Sequence, residues 1–273
     1  MKRFLFGFAL ICGLIFSVNT EAAVKYFTLD GANGKLSAMI QTPDKENYPV
    51  VILMHGFNSS KNMPLLRDIA DKLEENGIAT VRFDFNGHGQ SYGRFEDMTI
   101  PNEIEDASKV YEYVSHLPNV TSISLSGHSQ GGVVASMLAG ELGTDKIKSV
   151  VLLAPASILR DMAAHGDLFG VKYDTDYLPP YVDIPGCCRV GQDYVETAKN
   201  LPIYETAARY KGKVLIIHGM ADDLVPYSYG VEYDKIYTNS ELKLLPGLNH
   251  NFVGNEDTVA EETADFVKKN TDK

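Results

Sequence analysis

What most constrains this chain is an alternation. Short, nearly continuous apolar runs are separated by segments of helical periodicity along most of its 273 residues. The runs are Val50 to Met54, Ala79 to Phe83, Ser122 to Leu125, Val150 to Leu153 and Val214 to Ile217. A strand that is apolar at nearly every position must be covered on both faces, as in a parallel sheet layered between helices. Between the runs, Pro64 opens a helix that places Leu66, Ile69, Ala70 and Leu73 on one face and ends at Asn76-Gly77. Ile104, Ala107, Val110, Tyr111 and Val114 form the stripe of a second helix. The expectation is an α/β fold with a mainly parallel central sheet and helices on both faces. Val24 to Leu29 and Lys35 to Gln41, split by Asp30-Gly31-Ala32-Asn33-Gly34, predict an antiparallel hairpin at the sheet edge.

The N-terminus stands apart from this pattern. Lys2-Arg3 precede an apolar run from Phe4 to Phe16, then a polar stretch to Glu21 and a small pair, Ala22-Ala23. That is the three-part form of a signal peptide, expected over residues 1–22. The run is too short for a bilayer-spanning helix, which needs ~20 residues, so a secreted or periplasmic protein with no stable membrane anchor is expected. No repeat, low-complexity tract or linker divides residues 23–273, which predict one domain.

The alternation breaks between about residues 157 and 200. This segment holds no convincing strand and collects Phe169, Tyr173, Tyr177, Tyr181 and Tyr194 with Pro179-Pro180. A loop-rich insertion of that length inside a compact domain predicts a lid or binding element, the alternative being a cap whose aromatics only cover core.

Composition narrows the function. With 25 Lys+Arg against 36 Asp+Glu the formal net charge is −11, which repels phosphate backbones and argues against a nucleic-acid partner. Three cysteines and no Cys/His cluster at ligand spacing leave no case for a zinc module or other metal site. Two of the cysteines, Cys187 and Cys188, are neighbours; a disulfide between them closes a strained ring, so two thiols are expected.

The chemistry is concentrated in Gly127-His128-Ser129-Gln130-Gly131-Gly132, between an expected strand and the helical run Val133 to Leu142. A serine on a tight strand-to-helix turn, flanked by glycines that allow close approach, has the form of a nucleophile elbow. A serine that merely caps the following helix would not need those glycines. Ser129 needs a base to take its proton and a carboxylate to orient that base, in the chain order serine, acid, histidine. Of the seven histidines, only His165, His218 and His250 follow Ser129. His165 has no acid-bearing strand before it and His218 precedes the acids, which leaves His250. Asp222 and Asp223 leave the end of the strand at His218-Gly219; Asp222 is the preferred acid and Asp223 reads as a turn cap. The N–H groups of Gln130 and of Phe57, in the loop His55-Gly56-Phe57, are the expected oxyanion donors.

These motifs, in this order, resemble the α/β-hydrolase superfamily over essentially the whole chain after residue 22. The longer strings Val81 to Ser91, Asn102-Glu103-Ile104-Glu105-Asp106, Gly127 to Ala135 and Leu201-Pro202-Ile203-Tyr204-Glu205 resemble the bacterial cinnamoyl (feruloyl) esterases. The resemblance implies an α/β-hydrolase fold with a lid insertion and cofactor-free hydrolysis of hydroxycinnamate esters; a monomer or homodimer is expected. The substrate would be a small ester or a feruloylated saccharide. It also implies that Asp161 and Tyr194 contact the phenolic hydroxyl of the substrate. A general short-acyl carboxylesterase or monoacylglycerol lipase, or a silent binding protein on the same scaffold, are the competing expectations.

Overall fold

The computed structural model describes residues 23–271; the expected signal peptide lies outside them. The chain begins with the strands β1 (Ala23–Gly31), β2 (Gly34–Thr42) and β3 (Tyr48–Met54), followed by the helix α1 (Pro64–Glu75). It continues through β4 (Ala79–Phe83), α2 (Ile100–Ser115), β5 (Val120–His128), α3 (Gln130–Leu142) and β6 (Ser149–Leu153). After the segment expected as an insertion come α6 (Ile203–Ala207), β11 (Lys213–Gly219), α7 (Ser228–Ile236), β12 (Ser240–Leu245) and α8 (Glu256–Thr271).

Eight strands form one sheet in the order β1-β2-β4-β3-β5-β6-β11-β12. The first two pairings, β1 with β2 and β2 with β4, are antiparallel, and every pairing from β4 to β12 is parallel. The expected hairpin is therefore present at one edge. Alternation along each strand assigns side chains to opposite faces. Val50, Ile52 and Met54 point into a core shared with α2 and α3, while Val51 and Leu53 point into another shared with α1 and α8. The central helix α3 is buried from Gln130 to Gly140, so its first turn is held rigidly under the carboxyl ends of the strands.

Residues 157–200 differ from expectation. They contain α4 (Ile158–His165), the antiparallel pairs β7 (Asp167–Leu168) with β8 (Val171–Lys172) and β9 (Tyr181–Ile184) with β10 (Cys188–Gly191), and α5 (Gln192–Ala198). The β9 strand does alternate, with Val182 and Ile184 buried and Tyr181 and Asp183 exposed. Four residues between Pro179-Pro180 and the Pro185-Gly186 turn are too few for periodicity to stand out in sequence. Between β7 and β8, Phe169 and Gly170 have φ of 52° and 83°; two central residues of positive φ mark a type I′ hairpin turn, where phenylalanine is an unusual choice.

Candidate active site

Ser129 stands between β5 and α3 with φ 57° and ψ −122°, a conformation a side chain adopts only when its surroundings impose it. They do so through the backbone. Its N–H donates to Leu153 O at 2.9 Å, and its carbonyl accepts from Gly132 N–H at 2.9 Å and Ala156 N–H at 3.0 Å. Close packing also fixes two glycines. A Cβ on Gly131 would lie 2.4 Å from His55 O, and one on Gly56 would lie 2.9 Å from Ser129 Cβ.

Asp222 follows β11, and His250 lies in the loop after β12. The His250 Nδ1–H donates to Asp222 Oδ2 at 2.7 Å, which leaves Nε2 as the free basic nitrogen. The other carboxylate oxygen accepts from Leu224 N–H at 3.0 Å and Val225 N–H at 2.8 Å. Asp222 thus orients the histidine and caps its own turn, whereas Asp223, expected as the cap, is exposed. Burial disfavours the Asp222 carboxylate. Hydrogen bonds from His218 and His250 and the adjacent imidazole outweigh that cost, and hold its pKa well below the usual carboxylate range. His218, set aside as a base, is a second partner of the acid: its Nε2–H is shared between Asp222 Oδ2 at 3.2 Å and Val225 O at 2.9 Å. No spacing rule distinguishes it, because it acts through the carboxylate rather than on substrate.

Ser129 and His250 line one cavity of about 190 Å³, whose other walls include Phe57, Ile158, Leu159, Phe169, Leu224 and Val225. Phe57 is packed edge-on against Phe95, with ring centroids 5.1 Å apart, and tilted against Phe169 at 5.0 Å. Gln130 is the first residue of α3, where backbone N–H groups have no acceptor within the helix. The structure therefore brings Ser129, Asp222, His250, Phe57 and Gln130 to one end of the sheet.

Asp161 and Tyr194 are placed differently. The half-buried Asp161 accepts a hydrogen bond from Tyr229 O–H at 2.7 Å, and the fully buried Tyr194 donates its O–H to Gln130 Oε1 at 2.8 Å. Neither lines the cavity. Among the described residues, no group of three or more His, Cys, Asp or Glu could hold a metal ion.

Comparison with known proteins starts from the structure of Est1E from Butyrivibrio proteoclasticus with ferulic acid bound. It superposes with a TM-score of 0.87 and 32% identity over 90% of this chain and 100% of the other. The chain belongs to the α/β-hydrolase superfamily. Within this hydrolase, residues 45–170 also match the family described as serine aminopeptidase, S33. Human Protein ABHD12B is 26% identical over 251 residues, 88% of this chain but 66% of the relative, so this hydrolase spans just under two thirds of that protein. The zebrafish (Danio rerio) lysophosphatidylserine lipase ABHD12 is 23% identical over 82% of this chain and 59% of its own length.

Proposed function

We propose that this α/β-hydrolase is an exported serine esterase that cleaves hydroxycinnamate esters. The observation carrying the reading is the cavity over Ser129 and His250, walled by Phe57 and Phe169. The Phe57 and Phe169 rings, 5.0 Å apart, form one aromatic wall on which a planar acyl group can lie, and a cavity of about 190 Å³ takes the acyl half of an ester while the alcohol stays at the mouth. The likeness to a protein solved with ferulic acid bound supports the same class. Residues 157–200 act as a lid that contributes Ile158, Leu159 and Phe169 to that slot.

In this mechanism Ser129 Oγ attacks the ester carbonyl while His250 Nε2 takes its proton. The N–H groups of Phe57 and Gln130 stabilise the oxyanion, and Asp222 fixes the tautomer and stabilises the imidazolium. His250 then protonates the departing alcohol, and water attacks the acyl-enzyme with His250 as base. Export rests on the leader-like residues 1–22 and suits a feruloylated saccharide outside the cytoplasm.

The test is initial rates on methyl ferulate against acetyl and butyryl esters of matched leaving group, with fluorophosphonate labelling and Ser129→Ala as the blank. Preference for ferulate, lost with labelling in the variant, is expected. Turnover of short esters alone would reassign the substrate to simple acyl groups, and absence of both labelling and turnover would make the chain a binding protein.

A further inference from the structure

A buried line of polar groups runs behind the oxyanion donors and is not used by the chemistry above. Tyr194 of α5 donates its O–H to Gln130 Oε1 at 2.8 Å, and Gln130 Nε2–H donates to Glu103 Oε2 at 2.8 Å. Glu103, on α2, is 2% exposed. Its second oxygen, Oε1, has no hydrogen-bond partner and lies 4.0 Å from His88 Nε2, which has none either. The other ring nitrogen of His88 is 3.2 Å from the carbonyl oxygen of Asn86. A carbonyl only accepts, so His88 Nδ1 carries the hydrogen and Nε2 of the neutral ring is a lone pair.

An ionised Glu103 would therefore set a second lone pair against that of His88, with both atoms buried. A carboxylic acid with its proton on Oε1 supplies the missing donor. We propose that Tyr194 and Glu103 are positioning residues for the oxyanion donor Gln130, with Glu103 kept as a neutral acid. The two hydrogen bonds then run one way, from Tyr194 through Gln130 to Glu103, whose acid proton on Oε1 faces the His88 lone pair at 4.0 Å, a polar contact longer than a hydrogen bond.

Burial supports this protonation state. It pushes the Glu103 carboxyl well above its ordinary range, more than the Gln130 hydrogen bond lowers it, and pushes His88 down. The other ionisable groups nearby supply no free cation: His55, whose ring centroid is 4.9 Å from that of His88, is held neutral by burial, Asp106 on the same helix as Glu103 is raised to about 6, and the buried Lys61 is ion-paired with Asp84. Donor and acceptor polarise one another along such a line, which stiffens it as a unit. Tyr194 also meets the other oxyanion residue, its ring lying 6.0 Å from that of Phe57. A displacement of α5 would thus reach both donors at once. The inference deepens the esterase reading and rests on it, but assigns Tyr194 to the protein rather than to the phenolic end of a substrate.

The experiment measures kcat and KM for wild type, Tyr194→Phe, Glu103→Gln and Glu103→Leu on methyl ferulate, methyl cinnamate and 4-nitrophenyl acetate. Tyr194→Phe should lower kcat by about tenfold on all three with KM little changed, since the loss falls on oxyanion stabilisation. Glu103→Gln should stay within about threefold of wild type, because its amide oxygen can accept from Gln130 while its NH2 faces the lone pair of His88. Glu103→Leu should lose at least as much as Tyr194→Phe. Infrared difference spectra should show the carboxylic-acid band of Glu103 in wild type and not in Glu103→Gln.

A Tyr194→Phe defect confined to ferulate and expressed in KM would overturn the proposal in favour of a substrate contact. Unchanged kcat in Tyr194→Phe, or Glu103→Gln as damaging as Glu103→Leu, would overturn it as well. If Glu103→Leu does not fold, the other two variants decide. A wild type that turns over only the acetate ester refutes the cinnamoyl assignment alone, because the same fall in kcat is then read on that ester. A wild type that neither hydrolyses nor labels refutes both readings.

Discussion

The Nε2–H of His128 donates to the carbonyl oxygen of His250 over 2.9 Å, so the residue before the expected nucleophile holds the backbone of the expected base. Burial pushes His128 down to about 3, so the ring that makes this bond is neutral. His128→Leu leaves the buried carbonyl unpaired and should destabilise the protein by about 1–3 kcal/mol near neutral pH. The loop bearing His250 should loosen with it, lowering kcat. Urea unfolding and steady-state kinetics on one preparation check both; unchanged kcat would mean that the sheet alone positions the two loops.

The penalty of that substitution should itself depend on pH. An unfolded histidine titrates near 6.5, so between about pH 6.5 and 3 the unfolded chain binds a proton at His128 that the folded chain does not. The contribution of His128 is full above that window and falls with pH by up to about 1.4 kcal/mol per unit. Asp106, raised to about 6, has the opposite sign: its folded form holds a proton the unfolded carboxyl has lost, which costs stability as pH rises from about 4 to 6. The two effects partly cancel in the whole protein. The stability gap between wild type and His128→Leu isolates the histidine, and should shrink from pH 7 to pH 5; a constant gap would refute a neutral buried ring.

Asp222→Asn removes the charge that opposes the imidazolium and can present an N–H to His250. A fall in kcat of about 10³–10⁴-fold is expected, as for an acid that sets the histidine tautomer. His218→Asn removes one of the two imidazole partners of the acid and leaves the other, so a loss of about tenfold is expected. Single-turnover rates of acylation distinguish these from effects on product release.

Two glycines allow steric and conformational costs to be separated. Gly131→Ala drives a Cβ into the carbonyl oxygens of His55 and Met54 and should cost more than about 3 kcal/mol. Gly143→Ala, at φ 76° and ψ 177° with no heavy atom within 4 Å of the new Cβ, should cost only the penalty of a backbone region that glycine alone favours, about 1–3 kcal/mol. Denaturant midpoints of the two variants test the ranking, and equal losses would contradict the packing account of the elbow.

Phe169 combines strain with a place in the cavity wall. Phe169→Asn suits the turn and should raise stability by up to about 1 kcal/mol while removing a ring from the acyl slot. A higher melting temperature with a higher KM for methyl ferulate is expected. No change in KM would remove this wall from substrate recognition.

The parallel strands and their flanking helices were legible because each buries a long apolar stretch. Val50 to Met54 can be nothing but a covered strand, and Ser129 is marked by glycines that local sterics demand. Chain order points to the pair Asp222 and Asp223 without separating them, because neighbouring loop residues both satisfy it; the 2.7 Å bond from His250 falls on Asp222. The hairpins of residues 157–200 were illegible because strands of two to four residues are held by turn geometry and by the body beneath them. The partnerships of His218 and Glu103 were not legible either: His218 reads only as a candidate base, and Glu103 stands only within a string that carries the family resemblance. Both act through another side chain, and such partnerships depend on which elements the fold brings together rather than on spacing along the chain.

The strand that leads to the proposed base is the last of the described strands to be made. His250 follows β12, an edge strand with a single neighbour, β11, whereas Ser129 follows β5, a strand inside the sheet. On the proposed mechanism the elbow and the acid emerge before the base, so the growing chain would stay hydrolytically silent until β12 docks. Fraying at that edge in the finished protein would turn the enzyme off first, with the rest of the fold intact.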